Sequence, residues 1–456
     1  MEKIVSLCKR RGFVFPGSEI YGGLANTWDY GPVGVELKNN IKQLWWKRFV
    51  KDREDVVGID AAIMMNKRVW EASGHVAGFS DAMVDCKSCQ SRLRADHLIE
   101  DAIGIQVEGK TVAEITEIIR ENKIKCPMCG KVDFTEARKF NLMFKTHQGV
   151  VENEGSVTYL RPETAQAMFV DFKNVISSAN KKLPLGIAQA GRSFRNEITP
   201  GNFIFRTIEF EQMEIEYFIK EEWWEEKFEY WLKEMQAWLE YIGIKKEHYA
   251  LREHAKEELS HYSKRTVDIE YNFPFGTKEL YGLAYRTNFD LTQHQKCSGQ
   301  SMEYFDQETG EKFIPHVLEP TFGVDRTVLA VMSDAYTEEE VVSAKGEKEV
   351  RVVMRFDKKV APVKVAILPL SKKEELSAKA KGIFDELKTE FTCQYDESQS
   401  IGKRYRRQDE IGTPYCVTVD FESLEDEAVT VRDRDTMAQE RIKISELKHF
   451  LEEKLK

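Results

Sequence analysis

The sequence predicts an α+β fold for the larger N-terminal part of the chain and a small α/β domain at its C-terminus. In the N-terminal part, long β-like segments lie among helices without regular strand–helix alternation, which favours an antiparallel sheet with attached helices. From about Ala361 onward, strand-like and helical runs alternate. A chain of 456 residues exceeds what one hydrophobic core usually supports, so we expect at least two domains.

Four β-like segments define the predicted N-terminal sheet: Pro184–Ile198, Phe203–Phe218, Thr266–Phe275 and Lys312–Leu318. The turn signal Pro200-Gly201-Asn202 joins the first two into a hairpin. A helix is predicted between Lys220 and Ile242, where an apolar stripe recurs at helical spacing and Gly243 can cap the end. The stripe comprises Trp224, Phe228, Trp231, Met235, Trp238 and Ile242. We interpret it as packing, within the fold or between subunits.

The C-terminal pattern begins after a charged run, Lys345–Lys359, which we interpret as a connection. A buried strand (Val363–Leu370) and a helix (Lys372–Glu390) follow. Two further strands are predicted at Tyr415–Asp420 and Ala428–Arg432.

Composition excludes some classes of protein. With 42% apolar and 32% charged residues, the chain is typical of a globular protein. The formal charge of −10 argues against a nonspecific nucleic-acid binder, but a specific nucleic-acid partner needs only local basic patches. Apolar runs are too short for a membrane span, and no signal-peptide run opens the chain, so we expect a cytoplasmic protein without membrane attachment.

The predicted hairpin carries chemically informative residues. Because strand side chains alternate between faces, two sets each share a face: Ser193, Arg195 and Glu197 on the first strand, and Arg206, Phe210, Gln212 and Glu214 on the second. If these faces coincide, one patch carries arginine, a flat aromatic ring and carboxylates. Such a patch suits a nucleotide beside an amine-bearing substrate. A surface hairpin with Arg–Glu pairs of little energetic value is the alternative.

Three stretches resemble the signature motifs of the class II aminoacyl-tRNA synthetases. Asp29–Ile41 resembles the glycyl type of the first motif, which builds a dimer interface. Phe194–Glu197 resembles the second motif. Gly323–Arg326, opening the helical run Thr327–Met332, resembles the third. Their order over roughly 300 residues fits the size of a catalytic domain.

Further stretches resemble the glycyl-tRNA synthetases in particular: Ile20–Gly23, Trp70–His75, Leu160–Gln166, Phe210–Glu214, Glu319–Gly323 and Tyr405–Gly412. This resemblance implies ATP-dependent activation of glycine, its transfer to tRNA(Gly), Mg²⁺ as a cofactor and a homodimer. It also assigns roles to residues. Arg195 and Glu197 would bind the ATP α-phosphate and adenine, Phe210 would stack on the base, and Arg326 would bind the γ-phosphate. The predicted ATP site comprises Arg195, Asn196, Glu197, Phe205, Arg206, Phe210, Glu279, Leu280, Gly323 and Arg326.

Within this set, the resemblance makes Arg195, Arg326 and Glu279 the catalytic residues, with Glu279 as the Mg²⁺ ligand. The predicted glycine site comprises Arg94, Glu163, Phe210, Glu211, Gln212, Met213, Glu214, Glu319, Thr321 and Gly323. Carboxylates of Glu163, Glu214 and Glu319 would surround the ammonium. Thr321 stands where this family usually has serine, and its extra methyl group would tighten the pocket if the side chain points inward.

Two Cys-x-x-Cys pairs predict a structural zinc site. Four thiolates, from Cys86, Cys89, Cys126 and Cys129, can coordinate Zn²⁺ tetrahedrally. The gap between the pairs is longer than in a simple zinc ribbon and contains a helix-like run, Thr111–Asn122. We therefore predict a zinc-ribbon insertion spanning residues 85–135. A redox pair and plain buried thiols remain the alternatives.

The C-terminal residues resemble the anticodon-binding domain shared by the glycyl, histidyl, prolyl and threonyl enzymes. Predicted domain bounds are 1–355 for the catalytic domain and 356–456 for the anticodon-binding domain. Arg404, Arg406 and Arg407 flank Tyr405 and form a basic cluster suited to tRNA phosphates and a stacked base. A solvated helix face is the alternative.

Two other functions are possible on the same fold. The chain could be a histidyl, prolyl or threonyl enzyme, or a catalytically inactive synthetase-like accessory protein that binds nucleic acid. The glycyl-type stretches disfavour the first. Arg195, Glu197, Phe210 and Arg326 are all present, which disfavours the second.

Overall fold

A computed structural model describes the whole chain except residues 106, 108, 109, 198–200, 343–345 and 347. Its α-helices are α1 (Glu2–Arg11), α2 (Pro32–Trp46), α3 (Lys67–Ala72), α4 (His75–Gly78), α5 (Ala95–Ile103), α6 (Val112–Glu121), α7 (Ala165–Val170), α8 (Phe172–Ala179), α9 (Trp224–Tyr241), α10 (Phe289–Ser298), α11 (Val324–Ala335), α12 (Glu374–Leu387), α13 (Ile401–Ile411), α14 (Ser423–Asp426) and α15 (Ile444–Lys454).

The strands are β1 (Val14–Pro16), β2 (Trp28–Tyr30), β3 (Val56–Gly58), β4 (Ser80–Asp85), β5 (Arg92–Arg94), β6 (Arg138–Asn141), β7 (Lys145–His147), β8 (Val157–Tyr159), β9 (Leu185–Phe194), β10 (Glu209–Ile219), β11 (Tyr249–Glu253), β12 (Arg265–Phe273), β13 (Gly276–Thr287), β14 (Tyr304–Phe305), β15 (Lys312–Phe313), β16 (His316–Gly323), β17 (Tyr336–Val342), β18 (Lys348–Met354), β19 (Val365–Pro369), β20 (Cys393–Tyr395), β21 (Tyr415–Val419), β22 (Ala428–Asp433) and β23 (Gln439–Lys443). No helix in the described ranges has the length and apolar character to cross a membrane.

A seven-stranded sheet in the order β11-β12-β13-β16-β10-β9-β3 forms the centre of the N-terminal part. All neighbours are antiparallel except β3, which runs parallel to β9. The predicted antiparallel sheet with attached helices is therefore confirmed. β9 pairs with β10 as the hairpin prediction requires, with Ser193 opposite Phe210 and Gln189 opposite Glu214.

Two predicted strands are shorter than the sequence suggests. The second hairpin strand begins at Glu209, because Asn202 and Phe203 both adopt the left-handed region at φ 61° and a short 3₁₀ helix follows. Pro200 and Ile198 lie outside the described residues. The run Lys312–Leu318 is split into β15 and β16 around Pro315, which has no N–H to donate to a ladder.

Helix α9 covers one face of this sheet with the predicted aromatic stripe. Phe228, Trp231, Met235 and Trp238 are fully buried in the main hydrophobic core. Trp238 donates its indole N–H to the Tyr281 hydroxyl at 3.1 Å. The stripe is therefore packing within the subunit.

The cysteine-containing insertion has its own small core. The strands β5-β4-β6 form a three-stranded sheet, and α5 and α6 pack against it through residues such as Ile99, Ile115 and Ile119. The predicted helix Thr111–Asn122 is confirmed as α6. Thr111 and Glu114 cap each other at its N-terminus, which fixes where the helix begins.

The C-terminal part folds around a five-stranded sheet in the order β20-β19-β21-β22-β23. The first three strands are parallel and the last two are antiparallel to their neighbours. Its core includes Ile367, Leu376, Val417 and Leu451 and is separate from the N-terminal core. The four predicted C-terminal elements are confirmed as β19, α12, β21 and β22.

The predicted connection Lys345–Lys359 is wrong for residues Lys348–Met354, which form β18 and pair with β17. Arg351 of this strand is buried and paired instead of solvated. Arg351 donates to Asp409 of α13 at 2.8 Å and also contacts Glu339 of β17. The hairpin therefore links the two parts of the chain.

Candidate active site

A cavity of about 490 Å³ opens over the central strands β10, β13 and β16. The two faces of the hairpin coincide as predicted, because Ser193 lies opposite Phe210 and its hydroxyl donates to Gln212 at 2.9 Å. Nearly all of the predicted ATP site lines this cavity: Arg195, Glu197, Phe205, Arg206, Phe210, Glu279, Leu280, Gly323 and Arg326. So do eight residues of the predicted glycine site: Glu163, Phe210, Glu211, Gln212, Glu214, Glu319, Thr321 and Gly323. Phe210 and Gly323 belong to both sets.

Arg195 is held between two aromatic rings. Its guanidinium carbon lies 5.2 Å from the ring centroids of both Phe79 and Phe210, and Nε donates to the Pro162 carbonyl at 2.9 Å. These contacts fix the plane of the guanidinium at the cavity wall. A planar cation fixed in this way can bind a phosphate through two parallel hydrogen bonds.

A second cation, Arg326, lies at the start of α11. Its guanidinium carbon is 4.3 Å from the Phe205 ring centroid, and Nη1 contacts both the backbone carbonyl (3.0 Å) and the carboxylate (3.1 Å) of Glu279. The positive charge of Arg326 lowers the pKa of Glu279. Glu279 is therefore an ionised carboxylate at the cavity wall, and carboxylate oxygens are ligands that Mg²⁺ takes.

Asp325 connects the three signature motifs. Its carboxylate accepts hydrogen bonds from the Tyr30 hydroxyl at 2.6 Å, from Lys38 at 3.2 Å and from the backbone N–H of Glu211 at 2.8 Å. Tyr30 and Lys38 belong to the first motif, Glu211 to the hairpin and Asp325 to the third motif. The first motif therefore helps to hold Asp325 and β10 in place beside the cavity, in addition to any role between subunits.

Carboxylates gather at the other end of the cavity. Glu214 accepts hydrogen bonds from the hydroxyls of Thr164 and Thr321, the latter at 2.9 Å. Burial and the nearby Glu163 raise the pKa of Glu214. The side chain of Thr321 points into the cavity, so its extra methyl group can narrow the pocket. Acidic groups therefore meet here in a buried part of the cavity.

Glu163 and Glu319 complete this end. Glu163 lies 3.2 Å from His75 Nε2, and this pairing outweighs burial and lowers the pKa of Glu163. The pKa of Glu319 is raised instead, to about 8. Burial and the charges of Glu214 and Glu163 raise it, and together they outweigh the positive charge of Arg286.

Sequence analysis missed Arg286, which organises this pocket. Arg286 is fully enclosed and donates to both oxygens of Asp290 (2.8 and 2.9 Å) and to Glu319 (2.8 Å). Its guanidinium carbon lies 3.9 Å from the Tyr262 ring centroid. Arg286 directly follows the apolar strand residues Leu283–Tyr285. Because buried charges are rarely found unpaired, a charged residue at this position could have indicated a buried ion pair.

Four predicted site residues make their contacts elsewhere. The side chain of Met213 lies in the core on the opposite face of β10, because successive strand residues alternate. Glu211 reaches the cavity wall, but its carboxylate pairs with Lys38 and Lys42 of α2. Asn196 contributes a backbone N–H to Leu142 and does not line the cavity.

Arg94 is the fourth. It pairs with Asp81 at 3.0 Å and with Asp96 at 2.6 Å, in a separate cavity of the insertion. The structure therefore does not bring Arg94 to the predicted glycine site. Arg94 ends β5 and belongs to the ion-pair network of that second cavity.

The four cysteines meet as predicted. The sulfur atoms of Cys86 and Cys129 are 3.6 Å apart, those of Cys89 and Cys126 are 3.7 Å apart, and all four lie within 4.8 Å of one another. A tetrahedral zinc ion with Zn–S bonds of about 2.3 Å requires sulfur–sulfur distances of about 3.8 Å. The cluster fits Zn²⁺.

The basic cluster of α13 is only partly accessible. Arg404 is 1% exposed and donates to the carbonyls of Pro369, Asp396 and Leu370, so the prediction that it contacts tRNA is wrong in this structure. Its guanidinium instead satisfies buried carbonyls at strand ends. Arg406 and Arg407 are half-buried and pair with Glu349 and Asp396.

Two family models match the chain. Residues 144–335 match the class II core domain of tRNA synthetases (G, H, P, S and T), and residues 364–454 match an anticodon binding domain. Glycine–tRNA ligases match across the whole chain: that of Caldanaerobacter subterraneus is 60% identical, that of Clostridium acetobutylicum 57% and that of Geobacillus thermodenitrificans 59%. Each match covers 100% of this chain and 97–99% of the relative.

The chain belongs to the glycine–tRNA ligase family. It is therefore a class II synthetase with a catalytic core and a C-terminal anticodon-binding domain, as the resemblance implied. Identity of this degree over the full length does not favour the histidyl, prolyl or threonyl alternatives or an inactive accessory protein.

Proposed function

We propose that the cavity over the central sheet activates glycine with ATP and that the same chain transfers the product to tRNA(Gly). The observation that carries this proposal is the separation of charge along one cavity. Arg195 packs on the ring of Phe210, and Arg326 packs on the ring of Phe205. Glu214 lies four residues beyond Phe210 on the same strand, close to Glu319 and Glu163. Cations for phosphates and carboxylates for an ammonium are what ATP and an amino acid require.

The reaction needs no nucleophile from the protein. The carboxylate of glycine attacks the α-phosphorus of ATP, the bond to the β-phosphate oxygen breaks, and pyrophosphate leaves. Arg195 neutralises charge that develops on the α-phosphate, and Arg326 orients the leaving phosphates. Phe210 offers a face on which adenine stacks. Mg²⁺ bound at Glu279 would supply further charge neutralisation on the phosphates.

The pocket selects glycine through its ammonium and its small size. Glycine has no side chain to recognise, so the site must bind the ammonium strongly and exclude larger substrates sterically. Thr321 and Thr164 hold both oxygens of Glu214, which restricts how the carboxylate can move to admit a Cβ. This arrangement supports glycine over alanine.

Amino-acid-dependent exchange of pyrophosphate into ATP, measured with all twenty amino acids, tests the function. Exchange with glycine alone is the expected result. Exchange with another amino acid would retain the fold and reject the substrate. No exchange by folded, zinc-replete protein would favour the inactive accessory protein.

Glu214→Gln should raise the KM for glycine by about 10- to 100-fold, because the amide keeps the shape but removes the charge that faces the ammonium. The KM for ATP should change less than about twofold, since the phosphates bind at the other end. Pyrophosphate exchange measures both constants. Glu209→Gln, an exposed position on the same strand, is the matched control. If the KM values for glycine and for ATP rise equally, Glu214 does not face the ammonium of glycine.

We also propose that Cys86, Cys89, Cys126 and Cys129 bind one structural zinc ion. Purified protein should contain about one zinc per chain, and Cys126→Ser should lose it, because three thiolates leave the tetrahedral site incomplete. The insertion should then be cleaved by protease faster than the rest of the chain. Metal analysis and limited proteolysis provide the measurements. Cys297→Ser, at an exposed cysteine outside the cluster, should change neither.

The remaining assignments extend the family relationship. We propose domain bounds of 1–355 and 356–456, with Arg406 and Arg407 as tRNA contacts, and a cytoplasmic homodimer. The exposed apolar side chains Ile20 (87%) and Tyr21 (86%), near the first motif, support a subunit interface there. Light scattering of wild-type protein and of an Ile20→Asp/Tyr21→Asp variant would test the dimer.

A further inference from the structure

Glu216 is a buried acid that the proposed reaction does not use. It lies two residues beyond Glu214 on β10, so both side chains project from the same face. Glu216 is 0% exposed, and within the described chain neither of its carboxyl oxygens has a hydrogen-bond partner. Buried polar groups are almost always hydrogen-bonded, so an unpartnered carboxyl beside a substrate pocket requires an explanation.

The sheet register places Glu216 against another acid. Because Glu214 pairs with Thr321 and Tyr217 pairs with Leu318, Glu216 lies opposite Glu319 on β16. Carboxyl oxygens of Glu214, Glu216 and Glu319 all lie within 4.8 Å of one another. Like charges directly opposite each other destabilise a sheet, so two ionised carboxylates at this position would repel each other.

The surrounding charges do not balance three carboxylates. Arg286 of β13 divides its hydrogen bonds between Glu319 and Asp290 of α10, while His75 faces Glu163 on the far side of the pocket. Glycine adds one positive charge. Burial raises the pKa of Glu216 well above its usual value, and Glu319 adds to this effect. Holding a proton costs less than burying an unpaired charge.

We propose that Glu216 is a positioning residue of the glycine pocket, a neutral carboxylic acid that shares its proton with Glu319 and holds that carboxylate toward the substrate ammonium. Arg286 binds one side of Glu319, and Glu216 binds the other. Glu319 is then fixed before glycine enters, as a site that recognises an ammonium requires. This inference rests on the proposed assignment of the pocket to glycine.

Two substitutions at position 216 distinguish a neutral hydrogen-bond donor from an ionised carboxylate. Glu216→Gln keeps a neutral donor of the same shape, so the KM for glycine should stay within about threefold of wild type. Glu216→Leu removes the donor and leaves Glu319 without its second partner, so this KM should rise at least about tenfold. The KM for ATP should change less than about twofold in either variant. Glu209→Gln and Glu209→Leu, on the exposed part of the same strand, are the matched controls.

Two outcomes of this experiment would overturn the proposal. If Glu216→Gln raises the KM for glycine as much as Glu216→Leu, the residue acts as an ionised ligand. If Glu216→Leu leaves the KM unchanged, Glu216 has no role in the pocket.

Infrared spectroscopy of the full-length protein at pH 7 tests the protonation directly, even if Glu216→Leu does not fold. A carboxylic acid C=O stretch should be present and should lose intensity in Glu216→Gln. A spectrum without that band would overturn the Glu216 proposal alone. The glycine assignment is tested separately by Glu214→Gln: an unchanged requirement for glycine in that variant would reject the pocket, and with it the role of Glu216, whatever the spectrum shows.

Discussion

Replacing Arg195 with alanine should reduce glycine-dependent pyrophosphate exchange by about 10³-fold or more, the range associated with losing an arginine from a phosphoryl-transfer site. Arg195 is fixed between Phe79 and Phe210 and by the Pro162 carbonyl. The enzyme therefore does not reorganise this cation when charge develops on the α-phosphate. Arg326 is held by Glu279 and by the ring of Phe205, so it cannot take the position of Arg195.

Single-turnover formation of the adenylate measures this loss without interference from product release. Arg195→Lys should recover only part of the rate, because an ammonium cannot form two parallel hydrogen bonds to one phosphate. Arg192→Ala is the matched control: Arg192 lies on the same strand, is exposed and pairs with Glu209. Near-normal activation by Arg195→Ala would reject the phosphate assignment.

Replacing Arg286 with methionine should be the most destabilising of the substitutions considered. Arg286 is 2% exposed, and its loss leaves Asp290 and Glu319 as buried acids without their cation. Removing one partner of a buried ion pair reduces the free energy of unfolding by about 3–5 kcal/mol. The thermal transition of the catalytic domain should fall by about 4–7 °C.

Differential scanning calorimetry follows this transition, and the transition of the C-terminal domain provides an internal reference. Arg286→Lys should lie between wild type and Arg286→Met, because it keeps the charge but cannot contact both acids with the same geometry. Glycine activation should be lost in Arg286→Met even below its melting temperature, since Glu319 is no longer held in place. An unchanged transition would show that Asp290 and Glu319 are not ionised together.

Local sequence patterns determined several features of this protein correctly. Alternation along the hairpin placed Phe210 and Glu214 on one face, because side-chain direction in a strand is fixed by the backbone. The spacing of the Cys-x-x-Cys pairs predicted a cluster of four sulfurs, since each pair forms one tight turn. The same alternation excludes Met213 from the pocket. The resemblance had assigned the whole run Phe210–Glu214 to the site, including residues on the opposite face of the strand.

Other features depended on contacts between distant parts of the chain. Arg404 and Arg406 belong to one basic run, but packing of α13 against β19 buries the first and leaves the second half-buried. Glu214 and Glu216 lie on one face of the same strand, but the neighbouring strands place Gln189 and Thr321 opposite the first and Ile187 and Glu319 opposite the second. Only the tertiary structure decided these cases, because the free energy of a charged side chain depends on which groups surround it after folding, and sequence separation does not specify those groups.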